Sequence, residues 1–437
     1  MNKTGAGTLV PSKETVQSGA VTSVAEKSTT EVVPPRYKQT KVGIVPEDWD
    51  VVKLGDIASR ITEKNKDDSI DKVFSNSAIN GIVLQNEYFD REIANKNNLT
   101  GYYVVESGDF VYNPRISKTA PAGPINRNLH STSGIVSPLY TVFRTQKNEN
   151  INYLEYFFSS TLWFRYMQCI ANYGARHDRM NITNSDFMKM PIPYPPLKEQ
   201  QRIAQILSTW DDAISKQEQL LVAKETLKKG LMQRLLSGEV RFAGFDGEWE
   251  EVQLGDICKF TQGTQIPFSE QIQNYREGYI RYLYIRDFFT DKDICYVKDI
   301  YPTKVMKKED IMIVNTGNTA GTVYSGAEGV LSNNAFKITF EKNIIFRDFL
   351  FSFLKSHVFK HNIERLFNSS GQPHVGHKNI ARVPFTFPSL VEQEKIAQVL
   401  TTADKEIELL KNELEALKEQ KRGLMQRLLT GEVRVMV

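Results

Sequence analysis

The most regular hydrophobic pattern in the chain lies near its C-terminus, where apolar residues recur in steps of three and four. The positions are Ile396, Leu400, Ala403, Ile407, Leu410, Leu414, Leu417, Leu424 and Leu428. Only Lys421 interrupts this stripe, which is typical of a helix that forms a coiled coil. An earlier segment has apolar residues in the same register, at Ile203, Leu207, Trp210, Ile214, Leu221, Leu231 and Leu235. Polar residues occupy this stripe at Gln217, Lys224 and Lys228.

These two helical segments are copies of one sequence. Residues 197–241 align with residues 390–434 without a gap, and about 24 of the 45 aligned positions are identical. A fainter match continues upstream, because Trp49 with Leu-Gly-Asp-Ile at 54–57 recurs as Trp249 with the same tetrapeptide at 254–257. The chain therefore repeats one plan, a variable globular domain followed by a long helix. Tandem copies related by a two-fold axis predict that the helices pair antiparallel.

This plan predicts five segments. They are a flexible tail over 1–40, a variable domain over 41–195, a helical segment over 196–245, a variable domain over 246–388 and a helical segment over 389–437. The tail is rich in Ser, Thr and Pro without periodicity, which indicates little core of its own.

Within each variable domain, short strands alternate with turns. Buried strands are predicted at 109–113 and 310–315, and one aromatic-rich helix at about 151–170 and about 346–366. The fold class is therefore α+β, with two similar globular domains separated by two long antiparallel coiled-coil helices.

Composition narrows the functional class. The 437 residues are 41% hydrophobic and 24% charged, no apolar run reaches the roughly 18 residues of a membrane span, and no secretory signal is visible. We therefore expect a cytoplasmic protein. Each variable domain carries 17 basic and 17 acidic residues, so a nucleic-acid surface must be a local patch, or a partner supplies the remaining charge.

Motifs for catalysis are missing from the sequence. We find no nucleotide-binding Gly-Lys-Ser/Thr loop, no nucleophile elbow, and no Asn/Asp-Pro-Pro-aromatic loop for methyl transfer. The pattern predicts a non-enzymatic chain with no catalytic residues. Four histidines that could bind a metal ion lie close together in the second copy: His357, His361, His374 and His377. The first copy has Thr161 and Arg165 at the positions of the first two. We therefore expect no metal site.

Two polar segments in each domain are candidate DNA contacts, because Arg, Lys, Asn and Gln side chains hold phosphates and read base edges. One is the turn after the buried strand, and the other is the loop that precedes the long helix; solvated loops are the alternative. The candidates in the first domain are Asn113, Arg115, Ser117, Lys118, Arg176, His177, Arg179 and Asn181. Those in the second domain are Asn315, Thr316, Asn318, Thr319, Gln372, His374, His377 and Lys378.

A third set of candidates concerns partner proteins. Polar positions at the starts of the two helices repeat although most of the middle does not, which predicts two equivalent exposed partner surfaces. These positions are Glu199, Gln200, Arg202, Glu392, Gln393 and Lys395.

The duplicated KEQQRIAQIL and LMQRLLSGEVRF segments, each preceded by a domain that opens with Trp and Leu-Gly-Asp-Ile, resemble the specificity subunit of type I restriction–modification enzymes. The resemblance implies two target-recognition domains that read a bipartite sequence in double-stranded DNA, and helices that dock two modification subunits. It also implies restriction subunits in the complex, and places S-adenosylmethionine and ATP on the partner subunits, with no cofactor in this chain. A coiled-coil scaffold without DNA recognition and a fused restriction–methylation enzyme are the alternatives.

Overall fold

The computed structural model describes residues 33–88, 99–146, 149–172, 178–367 and 373–436. Two compact units are present: the first comprises the residues up to Ala204 together with Gln426–Val437, and the second comprises Gln205–Met425. Most of the predicted tail lies outside the described residues. Its predicted boundary at residue 40 is wrong, because Tyr37–Thr40 forms a strand and the Tyr37 hydroxyl donates a 2.8 Å hydrogen bond to the Gly431 carbonyl.

The first unit contains twelve described strands and the helices that follow them. Its strands are β1 (Tyr37–Thr40), β2 (Gly43–Pro46), β3 (Asp50–Lys53), β4 (Ala58–Ile61), β5 (Phe74–Ser77), β6 (Gly81–Leu84), β7 (Tyr103–Val105), β8 (Phe110–Tyr112), β9 (Ile125–Arg127), β10 (Gly134–Val136), β11 (Thr141–Thr145) and β12 (Pro191–Tyr194). Its helices are α1 (Leu54–Ile57), α2 (Gln85–Tyr88), α3 (Ile151–Ser159), α4 (Phe164–Ile170), α5 (Asn184–Met188) and the start of α6 (Leu197–Leu236).

The second unit repeats much of this order. Its strands are β13 (Glu250–Gln253), β14 (Cys258–Gln262), β15 (Tyr279–Leu283), β16 (Cys295–Lys298), β17 (Val305–Met306), β18 (Ile311–Val314), β19 (Val323–Tyr324), β20 (Gly329–Leu331), β21 (Ala335–Phe340) and β22 (Pro384–Phe387). Its helices are the rest of α6, α7 (Leu254–Ile257), α8 (Arg347–Leu354), α9 (His357–Glu364), α10 (His377–Ala381) and most of α11 (Leu390–Leu429). Among the described helices, none is long and apolar enough to cross a bilayer.

Each unit is organised around a four-stranded antiparallel sheet of the same order. The order is β4-β11-β8-β9 in the first unit and β14-β21-β18-β19 in the second. The predicted strands at 109–113 and 310–315 are confirmed as β8 and β18, and every residue of both strands is buried. Because helices cover these sheets, the α+β prediction is also confirmed.

The single aromatic-rich helix predicted in each domain is wrong, since each is two helices. In the first unit, α3 ends at Ser159, and the Ser160 hydroxyl donates to the Phe157 carbonyl, which closes the turn. In the second unit, Ser356 begins α9 by accepting a hydrogen bond from the Phe359 amide. The break lets the two short helices of a unit bury their aromatic residues together, as Phe353 of α8 and Phe359 of α9 do with ring centroids 5.8 Å apart.

Helices α6 and α11 pair antiparallel within the second unit, as predicted. Ion pairs across the seam run in opposite directions along the two helices, from Asp211 with Lys421 to Lys228 with Asp404. Between them lie the Glu218–Lys418 pair at 2.9 Å and the Glu225–Lys411 pair at 2.7 Å. The lysines that interrupt the apolar stripe therefore have anionic partners on the other helix.

The starts of α6 and α11 are buried, which corrects the prediction that their repeated polar residues form exposed partner surfaces. Glu199, Gln200, Glu392 and Gln393 are each no more than 1% exposed. Their repetition has a packing reason: each carboxylate receives an arginine and each glutamine amide caps a nearby carbonyl. Only Arg202 and Lys395 of this set are exposed.

The carboxylate of Glu199 binds residues from both ends of the first unit. Arg434 donates to its two oxygens at 2.8 and 3.0 Å, and the Trp49 indole donates at 2.9 Å. The same guanidinium binds Asp48 at 2.7 and 2.9 Å and holds the pKa of that carboxyl below its ordinary value. In the second unit, Arg241 binds Glu392 in the same bidentate manner at 2.7 and 2.9 Å.

We expect Arg434→Ala to destabilise the first unit by about 1–3 kcal/mol, because it leaves the buried Glu199 carboxylate without its cation while Arg434 itself is partly solvated. Urea unfolding monitored by Trp fluorescence measures this change. The effect should shrink in acid, since the lowered pKa of Asp48 contributes stability at neutral pH that is lost as the pH falls through that pKa.

Arg427→Ala is the matched control. Its ion pair with Glu432 is more than half exposed on both sides, so its loss should change stability by no more than about 0.5 kcal/mol. Equal effects of the two variants would contradict the assigned role of Arg434.

Candidate nucleic-acid interface

The two polar segments predicted in the first domain meet in space, and we name residues 113–120 and 178–184 loop cluster 1. The Met180 amide donates to the Pro114 carbonyl at 2.9 Å, and the Ile116 amide donates to the Asp178 carbonyl at 3.1 Å. These two bonds place Arg115 directly opposite Arg179. The turn after β8 and the loop before α5 therefore form one surface.

A network of buried amides holds loop cluster 1 from below. The Asn113 side-chain amide donates to the Asn76 carbonyl at 3.0 Å, and its oxygen accepts from the Arg115 amide at 3.0 Å. The Asn126 amide donates to the Asn76 side-chain oxygen at 2.6 Å. Asn113 is only 8% exposed, so this candidate DNA contact shapes the loop and does not face the solvent.

The exposed polar side chains of loop cluster 1 are cationic or neutral, apart from Asp178. Arg115, Ser117, Lys118 and Asn181 are exposed, and Arg179 is partly buried. Arg176 and His177 lie outside the described residues. The exposed set offers several hydrogen-bond donors, which suits phosphate oxygens and the acceptor atoms of base edges.

The second domain brings its two polar segments together in the same way, and we name residues 315–322 and 373–379 loop cluster 2. The Gly317 amide donates to the Pro373 carbonyl and the Val375 amide to the Asn315 carbonyl, both at 2.9 Å. Thr316 and His374 face each other, with the Thr hydroxyl 3.0 Å from Nδ1 of the imidazole. Two independent domains thus build one arrangement.

Loop cluster 2 presents different chemistry on this common backbone. Asn315 is only 1% exposed, and its oxygen accepts from the Thr316 hydroxyl at 3.0 Å, so it is a structural residue like Asn113. Asn318, Thr319, His377 and Lys378 are exposed, and Gln372 lies outside the described residues. Amide, hydroxyl and imidazole groups therefore occupy the surface where the first domain places two arginines.

The four clustered histidines do not converge. His357 and His361 stack on one face of α9 with ring centroids 6.3 Å apart, whereas His374 bonds to Thr316 and His377 packs against Phe336. Among the described residues, no group of three or more His, Cys, Asp or Glu side chains could hold a metal ion.

Comparison with known families decides between the possible functional classes of the chain. The family model for the type I restriction modification DNA specificity domain matches this chain twice, over residues 46–223 and 246–419. The chain belongs to this type I DNA specificity family. The alternatives of a scaffold without DNA recognition and of a fused enzyme therefore lose their support.

Individual relatives agree over nearly the whole chain. The MjaVIII type I specificity subunit of Methanocaldococcus jannaschii is 26% identical over 421 residues, which is 90% of this chain and 94% of that protein. The MjaX subunit of the same organism, named as putative, is 27% identical over 91% of this chain and 97% of its own length.

Two solved structures share the fold. The type I restriction-modification S subunit from M. genitalium has a TM-score of 0.52 at 16% identity, covering 89% of this chain and 97% of its own. A chain from a structure that addresses complex assembly and conformational transition of the type I R-M system has a TM-score of 0.58 at 16% identity, covering 89% and 99%.

The sequence-based prediction missed several polar residues in and beside loop cluster 1. Arg60, Tyr140 and Asn184 line a cavity together with Arg179 and Asn181. The repeat contains a signal that could have identified Arg60. Arg60 lies three residues after the Leu-Gly-Asp-Ile tetrapeptide, and the second copy has Phe260 at the equivalent position. Outward positions that differ between copies of one specificity domain are where recognition residues should be sought.

The turn beneath loop cluster 1 provides a test. Gly123 has a φ of +77°, and a Cβ there would lie 2.2 Å from the Asn113 carbonyl oxygen. Gly123→Ala should therefore displace the buried amide network and cost clearly more stability than the roughly 1–2 kcal/mol of a left-handed residue alone. Chemical denaturation of the full chain measures the difference.

Gly81→Ala isolates the contribution of the backbone, because Gly81 has a φ of +67° and a Cβ at this position would meet no described atom within 4 Å. Similar losses of stability for both variants would contradict the account of the turn.

Proposed function

We propose that this chain reads a bipartite sequence in double-stranded DNA, with loop cluster 1 contacting one half-site and loop cluster 2 the other. The observation that carries the proposal is the repetition of one loop arrangement with different exposed side chains. A shared backbone supplies the same docking geometry twice, and the differing side chains supply two different sequences. The target should therefore be asymmetric.

Charge supports a role inside a larger complex. Each variable domain has equal numbers of acidic and basic residues, so loop clusters 1 and 2 are local cationic or polar patches on neutral domains. Phosphate contacts dominate the affinity of most DNA-binding proteins, and a neutral domain makes few of them. We infer that modification subunits complete the DNA-binding surface, and that restriction subunits, S-adenosylmethionine and ATP enter through these partners.

The length of α6 suggests what sets the gap between half-sites. The helix joins the two variable domains in the chain and contains 40 residues, which corresponds to about 60 Å at roughly 1.5 Å per residue. A paired helix of fixed length is a rigid spacer, whereas recognition loops contact only the bases beneath them. Gap length and half-site sequence should therefore be separable properties.

Adding one heptad between Leu221 and Leu231, and a matching heptad between Leu414 and Leu424, lengthens the paired helices by about 10 Å. We expect the complex with modification subunits to prefer a gap about three base pairs longer, at 3.4 Å per pair, and to keep both half-site sequences. Sequencing of the methylated motif in cells checks this. A changed half-site with an unchanged gap would refute the spacer role.

Replacing residues 41–195 by the corresponding domain of another specificity subunit is the complementary control. It should change one half-site and leave the other half-site and the gap as they were.

We further propose that two modification subunits bind the exposed faces at the C-terminal ends of α6 and α11. Gly230 and Gly423 lie inside these helices at equivalent positions, and a Cβ at either would have no described atom within 4 Å. A glycine inside a helix costs about 1 kcal/mol relative to alanine, and nothing described in this chain requires it. Close approach of a partner backbone explains why both copies contain it.

Gly230→Ala and Gly423→Ala test this proposal, because they should have opposite effects on the stability of the chain and on partner binding. Each should raise the stability of the isolated chain by up to about 1 kcal/mol through helix propensity, and the double variant should weaken binding of the modification subunit, measured by calorimetry. Lys216→Ala, at an exposed position of α6, is the control and should leave binding unchanged. Stabilisation without any loss of partner binding would exclude this face.

A further inference from the structure

A cavity of about 420 Å³ opens beside loop cluster 1, and its lining includes several hydrogen-bond donors. Its polar lining residues are Arg60, Tyr140, Thr141, Arg179, Asn181 and Asn184. None of the described residues that line it is acidic. Two guanidinium groups therefore border one cavity without a carboxylate in its wall.

Each guanidinium has an unsatisfied nitrogen within the described part of the chain, although Arg60 Nη2 donates to the Tyr103 hydroxyl at 3.4 Å. The Nε atoms of Arg60 and Arg179 are buried and have no hydrogen-bond partner. The carboxylate of Asp178 is 3.7 Å from Arg179 Nε, which is too long for a hydrogen bond. A buried donor without an acceptor costs free energy, so an acceptor supplied at this site by a ligand or a water would be stabilising.

Both arginines extend from backbone that is fixed by hydrogen bonds. Arg60 lies on β4, where it pairs in register with Phe143 of β11, and its guanidinium carbon is 5.8 Å from the centre of the Tyr103 ring. Arg179 is fixed opposite Arg115 by the backbone bonds of loop cluster 1. Groups held in place before binding lose little conformational freedom when they bind, so they discriminate well between ligands.

The second domain replaces this chemistry at equivalent places. The residue that corresponds to Arg60 is Phe260, His374 occupies the position of Arg179 in the paired loops, and His377 begins α10 as Asn184 begins α5. The scaffold is retained while both guanidinium groups are absent. If the fold required these guanidinium groups, both domains would contain them. Side chains that read a DNA sequence instead differ between domains that read different half-sites.

We propose that this cavity reads a guanine in the half-site bound by the first domain, with Arg60 and Arg179 as specificity-determining residues. Guanine presents two acceptors, O6 and N7, on its major-groove edge, which match two donors of one guanidinium. The inference rests on the proposed DNA-reading function and adds the base and the residues. Phosphate oxygens share this acceptor chemistry, so the test must separate a base contact from a backbone contact.

The experiment uses the complex with modification subunits and its own target duplex, taken from the methylated motif. Affinities are measured for duplexes in which each base pair of either half-site is replaced in turn. The parent complex should discriminate against loss of one G·C pair in the first half-site by about 5- to 150-fold, the range of a bidentate contact. Arg60→Ala or Arg179→Ala should reduce this discrimination and leave the second half-site unaffected.

Two further variants make the outcome decisive. Arg179→Lys keeps the charge but loses the planar pair of donors, so it should lose discrimination as well. Arg165→Ala removes one exposed positive charge from the same domain, outside the cavity, and should leave the discrimination unchanged. A thermal transition like that of the parent shows that each variant is folded.

Three results would overturn the proposal. One is a first half-site without a G·C pair, and another is full discrimination in the Arg60 and Arg179 variants. The third is a uniform loss of affinity on all duplexes, in which the dependence of log affinity on log salt falls by about 1 and Arg179→Lys restores binding. That combination identifies phosphate contacts. Failure of the parent complex to bind any split target would instead remove the proposed function itself.

Discussion

The antiparallel pairing of α6 with α11 is the constraint on which this molecule depends, and charge fixes its direction. Asp211 and Asp404 are equivalent residues of the repeat, as are Lys228 and Lys421, so a parallel in-register pair would place like charges together. Antiparallel pairing instead joins Asp211 to Lys421 and Lys228 to Asp404. Each partly exposed pair stabilises little by itself, but like-charge contacts would oppose the alternative arrangement.

The ends of these helices are tied to the domains by a second repeated device. In the second unit, Arg241 after α6 binds the buried Glu392 at the start of α11. In the first unit, Arg434 after α11 binds the buried Glu199 at the start of α6. The segment after α11 therefore supplies the arginine that pairs with a buried glutamate of the first unit, as the segment after α6 does for the second unit. Glu199 and Glu392 are equivalent residues of the repeat, as are Arg241 and Arg434, so the two copies share this buried charge pair.

Recognition and support are assigned to different residues within each domain. Buried asparagines, Asn113 in one domain and Asn315 in the other, shape the loops through hydrogen bonds to backbone and neighbouring side chains. The residues above them are free to differ, and they do: arginines border the first cavity where the second domain has Phe260 and His374. Under the proposed function, new DNA sequences can therefore be read without disturbing the core.

The sequence alone determined the duplicated plan, the two long helices, their direction and the buried strands, because periodicity and repetition are local or directly countable. It also identified both polar segments of each loop cluster. Only the tertiary structure decided that Glu199 and Glu392 are buried, since exposure depends on what packs against a polar residue. The same holds for Arg60: its strand position was visible, but its cavity with Arg179, 119 positions away in the chain, exists only because the fold brings β4 and the loop before α5 together.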